Sequence, residues 1–217
     1  MPNQDLTGMG VCWLGNMRYT NPLNRTAAKK WQALSHLGLR MYVLGFATAP
    51  RFQLFTQFAR FYLLPELPLA FLRYFEFFLL TPPLLLWLVL RRRVSVIVAV
   101  SPFEGAVAAL VKNMAGLFGQ PVALVVESHG DFEVAVFQQR RIRLAGLYRR
   151  LMAGLTRYAL RYADVLRTVS NSSRQQLAAW SPKNQPMHQF MAWTDFSAFA
   201  NLEREKSLLE TQVIVYV

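Results

Sequence analysis

Short apolar runs rich in Val, Ile and Leu alternate along the chain with longer stretches of helical periodicity, the sequence form of strand, helix, strand units that build a parallel sheet. The runs are Met9–Leu14, Met41–Phe46, Arg60–Leu64, Val94–Val100, Val122–Glu127, Val165–Val169 and a weaker His188–Ala192. Between them the pattern predicts helices. Asn24 caps one that runs through Gly38, with Trp31, Leu34 and Leu37 on one side and Lys29 and Lys30 exposed. A second covers 69–92, interrupted by its prolines; a third spans Gly105–Phe118; the longest spans Gln138–Ala163; and Ser172–Trp180 closes the set before Pro182.

Several runs end abruptly in polar residues. Val11–Leu14 leads into Gly15, Asn16 and Arg18, and Val94–Val100 into Ser101, Pro102, Phe103, Glu104 and Gly105. Val122–Val126 leads into Glu127, Ser128, His129, Gly130 and Asp131, and Val165–Val169 into Ser170, Asn171 and Ser172. In an open parallel sheet the ligand binds beyond the carboxyl ends of the strands, so these four groups are expected on one rim, at a cleft.

Composition narrows the partners. The 217 residues are 53% apolar, enough for a full-sized core, and their formal charge of +12 points to nucleic acid, an anionic membrane surface or a phosphorylated substrate. One cysteine, Cys12, excludes an internal disulfide framework and favours a reducing compartment. The opening MPNQDLTGMG lacks the basic region and apolar run of a secretory signal. The longest uncharged run, Phe77–Leu90, has 14 residues with Pro82 and Pro83 inside it, short of the 18 or so that a spanning helix needs. Two readings of this segment stay open: a helix buried against the sheet, or an interfacial segment with Arg91, Arg92 and Arg93 on anionic lipid. From Arg140 to Arg161 seven arginines accompany an apolar stripe of Ile142, Leu147, Leu151, Leu155 and Tyr158, which suits either a helix packed on the sheet or a membrane surface.

The order of these pieces resembles the amino-terminal half of the family 4 glycosyltransferases. RRRVSVIVAVSPFEGAVAALV is similar to that family's basic turn, strand, small polar loop and Ala-rich helix; PVALVVESHGDFE to the strand ending in a His-Gly pair; and YRRLMAGLTRYALRYADVLRTVSNSSRQQL to its basic helix, strand and Ser-initiated helix. AWTDFSAF stands where relatives have an Asn-Gly-Val-Asp sequence, and QVIVYV resembles the first strand of a second domain. The resemblance implies an α/β fold: a Rossmann-like three-layer domain with a mostly parallel sheet, one half of a GT-B architecture. It implies an acceptor-side domain over 1–205 and the linker and first strand of a donor-binding domain over 206–217, the chain being a partial one.

The implied reaction is transfer of a sugar from a nucleotide-sugar donor to a hydroxyl of a sugar or lipid-linked acceptor, with retention and with neither metal nor other cofactor. It suggests cell-surface polysaccharide or glycolipid synthesis in the cytoplasm, at the inner face of the membrane. His129 is implied to contact the donor sugar, and Gly130 to let the backbone approach. Glu127 and Asp131 either orient His129 and bind hydroxyls or cap the loop. Glu104, with Ser101 and Gly105, is a rim candidate, or else a first-turn acid favoured by the helix dipole. Ser170 and Asn171 have the same two readings, ligand or N-cap. Arg18 either holds a phosphate or is an ordinary surface arginine. Where many relatives have a Gly-Gly pair, GNMRYTNPLN leaves backbone approach to Gly15, beside Asn16.

Two readings of other classes compete. A nicotinamide oxidoreductase requires a G-x-G-x-x-G after the first strand, and Gly8, Gly10 and Gly15 do not supply it. A binding module without catalysis follows from charge alone; its nucleic-acid version lacks basic and aromatic residues interleaved on a strand, so nucleic acid is not expected.

Overall fold

The computed structural model describes residues 7–130 and 145–190, with no side-chain description for 70, 71 and 145. Its elements, in chain order, are β1 (Gly10–Tyr19), α1 (Arg25–Ser35), β2 (Arg40–Ala47), β3 (Gln53–Gln57), β4 (Ala59–Leu64), α2 (Ala70–Arg92), β5 (Val94–Ala99), α3 (Pro102–Leu117), β6 (Ala123–Ser128), α4 (Ala145–Tyr162), β7 (Val165–Thr168), α5 (Asn171–Trp180) and β8 (Met187–Gln189). The strands form one sheet in the order β3-β4-β2-β1-β5-β6-β7-β8. Every neighbouring pair is parallel except β3–β4. The chain moves outward from β1 in one direction through β2 and in the other through β5, so the crevice above β1 and β5 is the topological switch point of an α/β Rossmann-like sheet.

Two apolar layers hold this sheet. On one face Cys12, Leu14, Leu44, Ile97, Leu124 and Leu166 pack beneath helices α2 to α5, joined by Leu88 of α2, Val111 of α3 and Leu160 of α4. On the other face α1 drives Trp31 into a smaller cluster with Val43, Phe61 and Leu63. Trp31 is fully buried and meets Trp13 and Phe61 edge to face, at 5.7 Å each between ring centroids.

The structure corrects several expected boundaries. β1 does not stop at Leu14. It continues to Tyr19 through an irregularity, pairing Leu14 with Leu44 and Arg18 with Phe46, so Gly15, Asn16 and Arg18 lie on a bulged strand rather than in a loop. α2 runs unbroken through Pro82 and Pro83, because Phe77, Leu85, Leu88 and Val89 anchor one side of it in the core and packing outweighs the lost amide donors. α3 begins at Pro102, which suits a first helical position, rather than at Gly105. The antiparallel strand β3 has no counterpart in the expected set. On α4 the inward face is Met152, Thr156, Ala159 and Leu160, while Leu147 and Leu151 of the expected stripe are exposed and Ile142 lies outside the described residues. The domain boundary at 205 and the strand read in QVIVYV also lie outside them.

Candidate functional site

The polar strand ends share the carboxyl rim, but the sheet divides them between its two faces. On the α1 face, Glu127 of β6 and Arg167 of β7 occupy paired positions in the parallel ladder, and Arg167 Nη1 donates to Glu127 Oε1. The other carboxylate oxygen, Oε2, lies 2.9 Å from His129 Nε2. Glu127 is therefore buried, at 4% side-chain exposure, between two partners, while His129 stands 46% exposed at the lip. Phe190, just past β8, closes the cluster: the Arg167 guanidinium lies 4.2 Å from its ring centroid and the His129 ring meets it edge on at 5.6 Å.

These groups form one wall of a cleft of about 520 Å³, whose other wall is α1 with Trp13, Trp31, Arg18 and Lys30. Lys30 was expected to be solvated on the outer side of its helix. Instead it is half-buried, its ammonium 5.0 Å from the Trp31 ring and 5.9 Å from that of Trp13. Burial holds this ammonium below the usual lysine range, with the Glu127 carboxylate pulling it back up and Arg167 pushing it further down. Arg18, which also lines the cleft, pairs with Glu66 at 2.5 Å.

On the opposite face Glu104 is fully enclosed. Ser101 caps α3, its Oγ accepting from Phe103 N at 3.2 Å and donating to Glu104 Oε2. Burial raises the Glu104 carboxyl above the usual range, and bonds from Ser101, from the backbone of Glu104 and from that of Asn16 offset part of this. Asn16 and Glu104 line a separate small recess with Phe46 and Phe103. A Cβ on Gly105 would lie 3.1 Å from Ala159 and Val126, so this glycine seats α3 against β6 and α4; a Cβ on Gly15 would lie 3.0 Å from Val100 Cγ2. Ser170 caps α5 through Ser173 N at 3.1 Å, with Asn171 as the first helical residue. Gly130 is exposed beside His129, its carbonyl accepting from Ser128 Oγ at 2.9 Å, and Asp131 lies outside the described residues.

The sequence candidates thus separate. His129, Glu127 and Arg18 come together in the cleft; Ser101, Glu104, Gly105, Ser170 and Asn171 build helix starts on the rim. Lys30 and Arg167 went unread, although an arginine inside the apolar run VLRT is a signal, since a charged side chain enters a buried strand at a cost unless a partner waits there. Chemically, the cleft offers three cations, Arg18, Lys30 and Arg167, a shared carboxylate, an imidazole with its Nδ1 turned away from Glu127, and flat aromatic walls. Such a set is chemically suited to an anion together with a polyhydroxylated ring.

Residues 24–189 match the family model described as Glycosyltransferase Family 4. A sucrose-phosphate synthase from Thermosynechococcus elongatus superimposes with a TM-score of 0.57 at 14% identity, over 86% of this chain and 49% of that one. A second solved structure of a sucrose-phosphate synthase from the same organism gives 0.59 at 13% identity, over 87% and 92% of the two chains. This chain spans about half the length of the first, and the likeness is one of fold. No curated protein matches it significantly.

Proposed function

The chain belongs to glycosyltransferase family 4, and on that premise we propose that it supplies the acceptor-side wall of a transferase that moves a sugar from a nucleotide-sugar donor to a hydroxyl acceptor with retention of configuration. The observation that carries this reading is the His129–Glu127–Arg167 cluster at the carboxyl rim, facing Lys30 across an aromatic-walled cleft. In it, Glu127 fixes the imidazole through Nε2, leaving Nδ1 to meet a hydroxyl of the transferred sugar. Arg167 and Lys30 offer charge to a phosphate, and Trp13 and Phe190 offer faces for a sugar ring to lie against. No protein nucleophile is required of these residues: their part is to hold and orient.

The test is transfer of labelled sugar from a panel of nucleotide sugars by the full natural gene product, with the anomeric configuration of the product read by NMR. The expected result is turnover with retention for at least one donor, and a fall in kcat of about a hundredfold in His129→Ala, within the range for a positioned polar group in the transition state. Full turnover by a folded His129→Ala protein, or inversion at the anomeric carbon, would overturn the proposal.

A further inference from the structure

The outer side of α2 is not built like the surface of a soluble helix. Leu72, Phe75, Leu79, Pro83 and Trp87 follow one another at steps of three and four residues, and all five face solvent. Phe75 and Leu79 are 60% and 59% exposed, and the first charge on this line is Arg91. The apolar surface widens onto the edge of the sheet. Leu54 of β3 pairs with Tyr62 and so shares its side of the sheet, where Tyr62 packs on Trp87 with ring centroids 6.1 Å apart; Leu54 itself is 61% exposed. An exposed apolar stripe of this length on a helix, continued by an edge strand, is characteristic of an interaction surface.

At its lower end the stripe meets a hollow of about 490 Å³ at the amino ends of β2 and β4, lined by Arg40, Arg60, Arg91, Arg92, Arg93 and Phe58 among others. None of the five arginines has a carboxylate partner among the described residues. Arg92 instead lies over the Trp87 ring at 5.3 Å, and Arg40 Nε donates to the Gly8 carbonyl at 2.7 Å. Phe58 and Arg93 are the two non-glycine residues with positive φ, +61° and +54°, among those described, and both line this hollow. Five like charges and two unfavourable backbone conformations in one place cost the isolated protein stability, so their gain lies in something that binds there.

We propose that the flank formed by α2 and the β3 edge docks on the surface of an anionic lipid bilayer, with lipid phosphates in the arginine hollow. The arrangement of charge selects this occupant. A nucleic acid calls for basic groups spread along its track, whereas here they stand at one end of an otherwise uncharged apolar strip, with Trp87 and its stacked arginine at the junction, as at a membrane interface. α2 lies on such a surface rather than crossing it. Its inner side, with Phe77, Leu85 and Leu88, is committed to the core, and Pro82 and Pro83 deprive the Phe78 and Leu79 carbonyls of helical donors, which headgroup water tolerates and lipid-facing hydrocarbon does not. The inference is independent of the transferase reading.

The test is co-sedimentation of the full 217-residue chain with vesicles of mixed phosphatidylglycerol and phosphatidylcholine, against phosphatidylcholine alone, over a range of salt. Binding is expected only to the anionic vesicles, weakening with salt and by about fivefold for each of Arg60, Arg91 and Arg93 replaced by Gln. The pair Phe75→Ser and Leu79→Ser is expected to weaken it by at least about tenfold. Phe118→Ser, an exposed apolar position off this flank, is expected to leave it unchanged. Arg93→Gly separates fold from docking, because glycine accepts the backbone conformation there: its melting temperature is expected to hold or rise while vesicle binding falls. Binding that ignores lipid charge, or that survives both the arginine and the Phe75/Leu79 replacements, would overturn the proposal. So would calorimetric uptake of inorganic pyrophosphate by a chain that binds no vesicles, which would make the hollow a site for a soluble phosphate, or retention on DNA in preference to anionic vesicles.

Discussion

The carboxyl and amino rims of the same sheet treat charge in opposite ways. At the carboxyl rim Glu66, Glu104 and Glu127 each have donors close by: Glu66 has Arg18 and Arg73, Glu104 has Ser101, and Glu127 has Arg167 and His129. At the amino rim five arginines surround a hollow that no carboxylate lines among the described residues, and Asp164, on the same rim but immediately before β7, is already held by Lys112 Nζ and by Leu124 N, at 2.6 Å each. The first rim is closed electrostatically and forms part of what stabilises the fold. The second is open and depends on what comes from outside. Breaking an ion pair should therefore lower stability at the first rim, and removing an arginine should spare or raise it at the second.

The largest effect is expected at Glu127. Arg167→Ala leaves a carboxylate at 4% exposure with His129 alone, and should cost roughly 2 kcal/mol in chemical denaturation, below the 3–5 of a fully buried pair because the arginine is itself 32% exposed. A cost indistinguishable from zero would mean that this rim is as open as the other. Glu104, whose partners are a hydroxyl and backbone amides rather than a cation, marks the limit of the first rim's closure through pH. Its folded-state pKa is raised by burial, so the stability it contributes is full below the unfolded carboxylate pKa and is lost as pH rises through the raised value. Glu104→Gln should therefore raise the melting temperature at pH 8 relative to the parent and change it little at pH 4; equal shifts at both values would remove burial as the cause. The smallest effect is a gain opposite in sign to that of Arg167→Ala. Arg93→Gly at the amino rim should stabilise the chain by about 0.5 kcal/mol, through relief of a left-handed backbone at a helix C-terminus and of like-charge repulsion. A loss of stability there would show that Arg93 has a structural partner after all.

How much of this was legible in the sequence depends on which forces were local. The strands β2, β4, β5, β6 and β7 announce themselves because each is an apolar run in the interior of the sheet rather than at its edge. β3 does not: QLFTQ is a partly exposed edge strand whose Leu54 points outward, so neither its pattern nor its polarity marks it. α2 looked broken at Pro82 and Pro83 because the anchoring of Phe77, Leu85 and Leu88 is tertiary and invisible locally. The capping role of Ser170 was readable, since a cap bonds within three residues of itself, whereas that of Ser101 was missed because the helix was expected to start only at Gly105. The cleft was half-readable. His129 and Glu127 stand two residues apart in sequence, but Lys30 and Arg167 reach them only because β6 and β7 pair in register and α1 crosses the same face.

The uninterrupted course of α2 through its prolines has a kinetic meaning as well. As the crossover between β4 and β5 it runs alongside the sheet, so a molecule resting on its outer side has its strands roughly level with the support and the mouth of the cleft opening sideways along it. If the acceptor is anchored in that support, encounter with it becomes a search in two dimensions, governed by lateral mobility and areal density rather than by concentration in a volume.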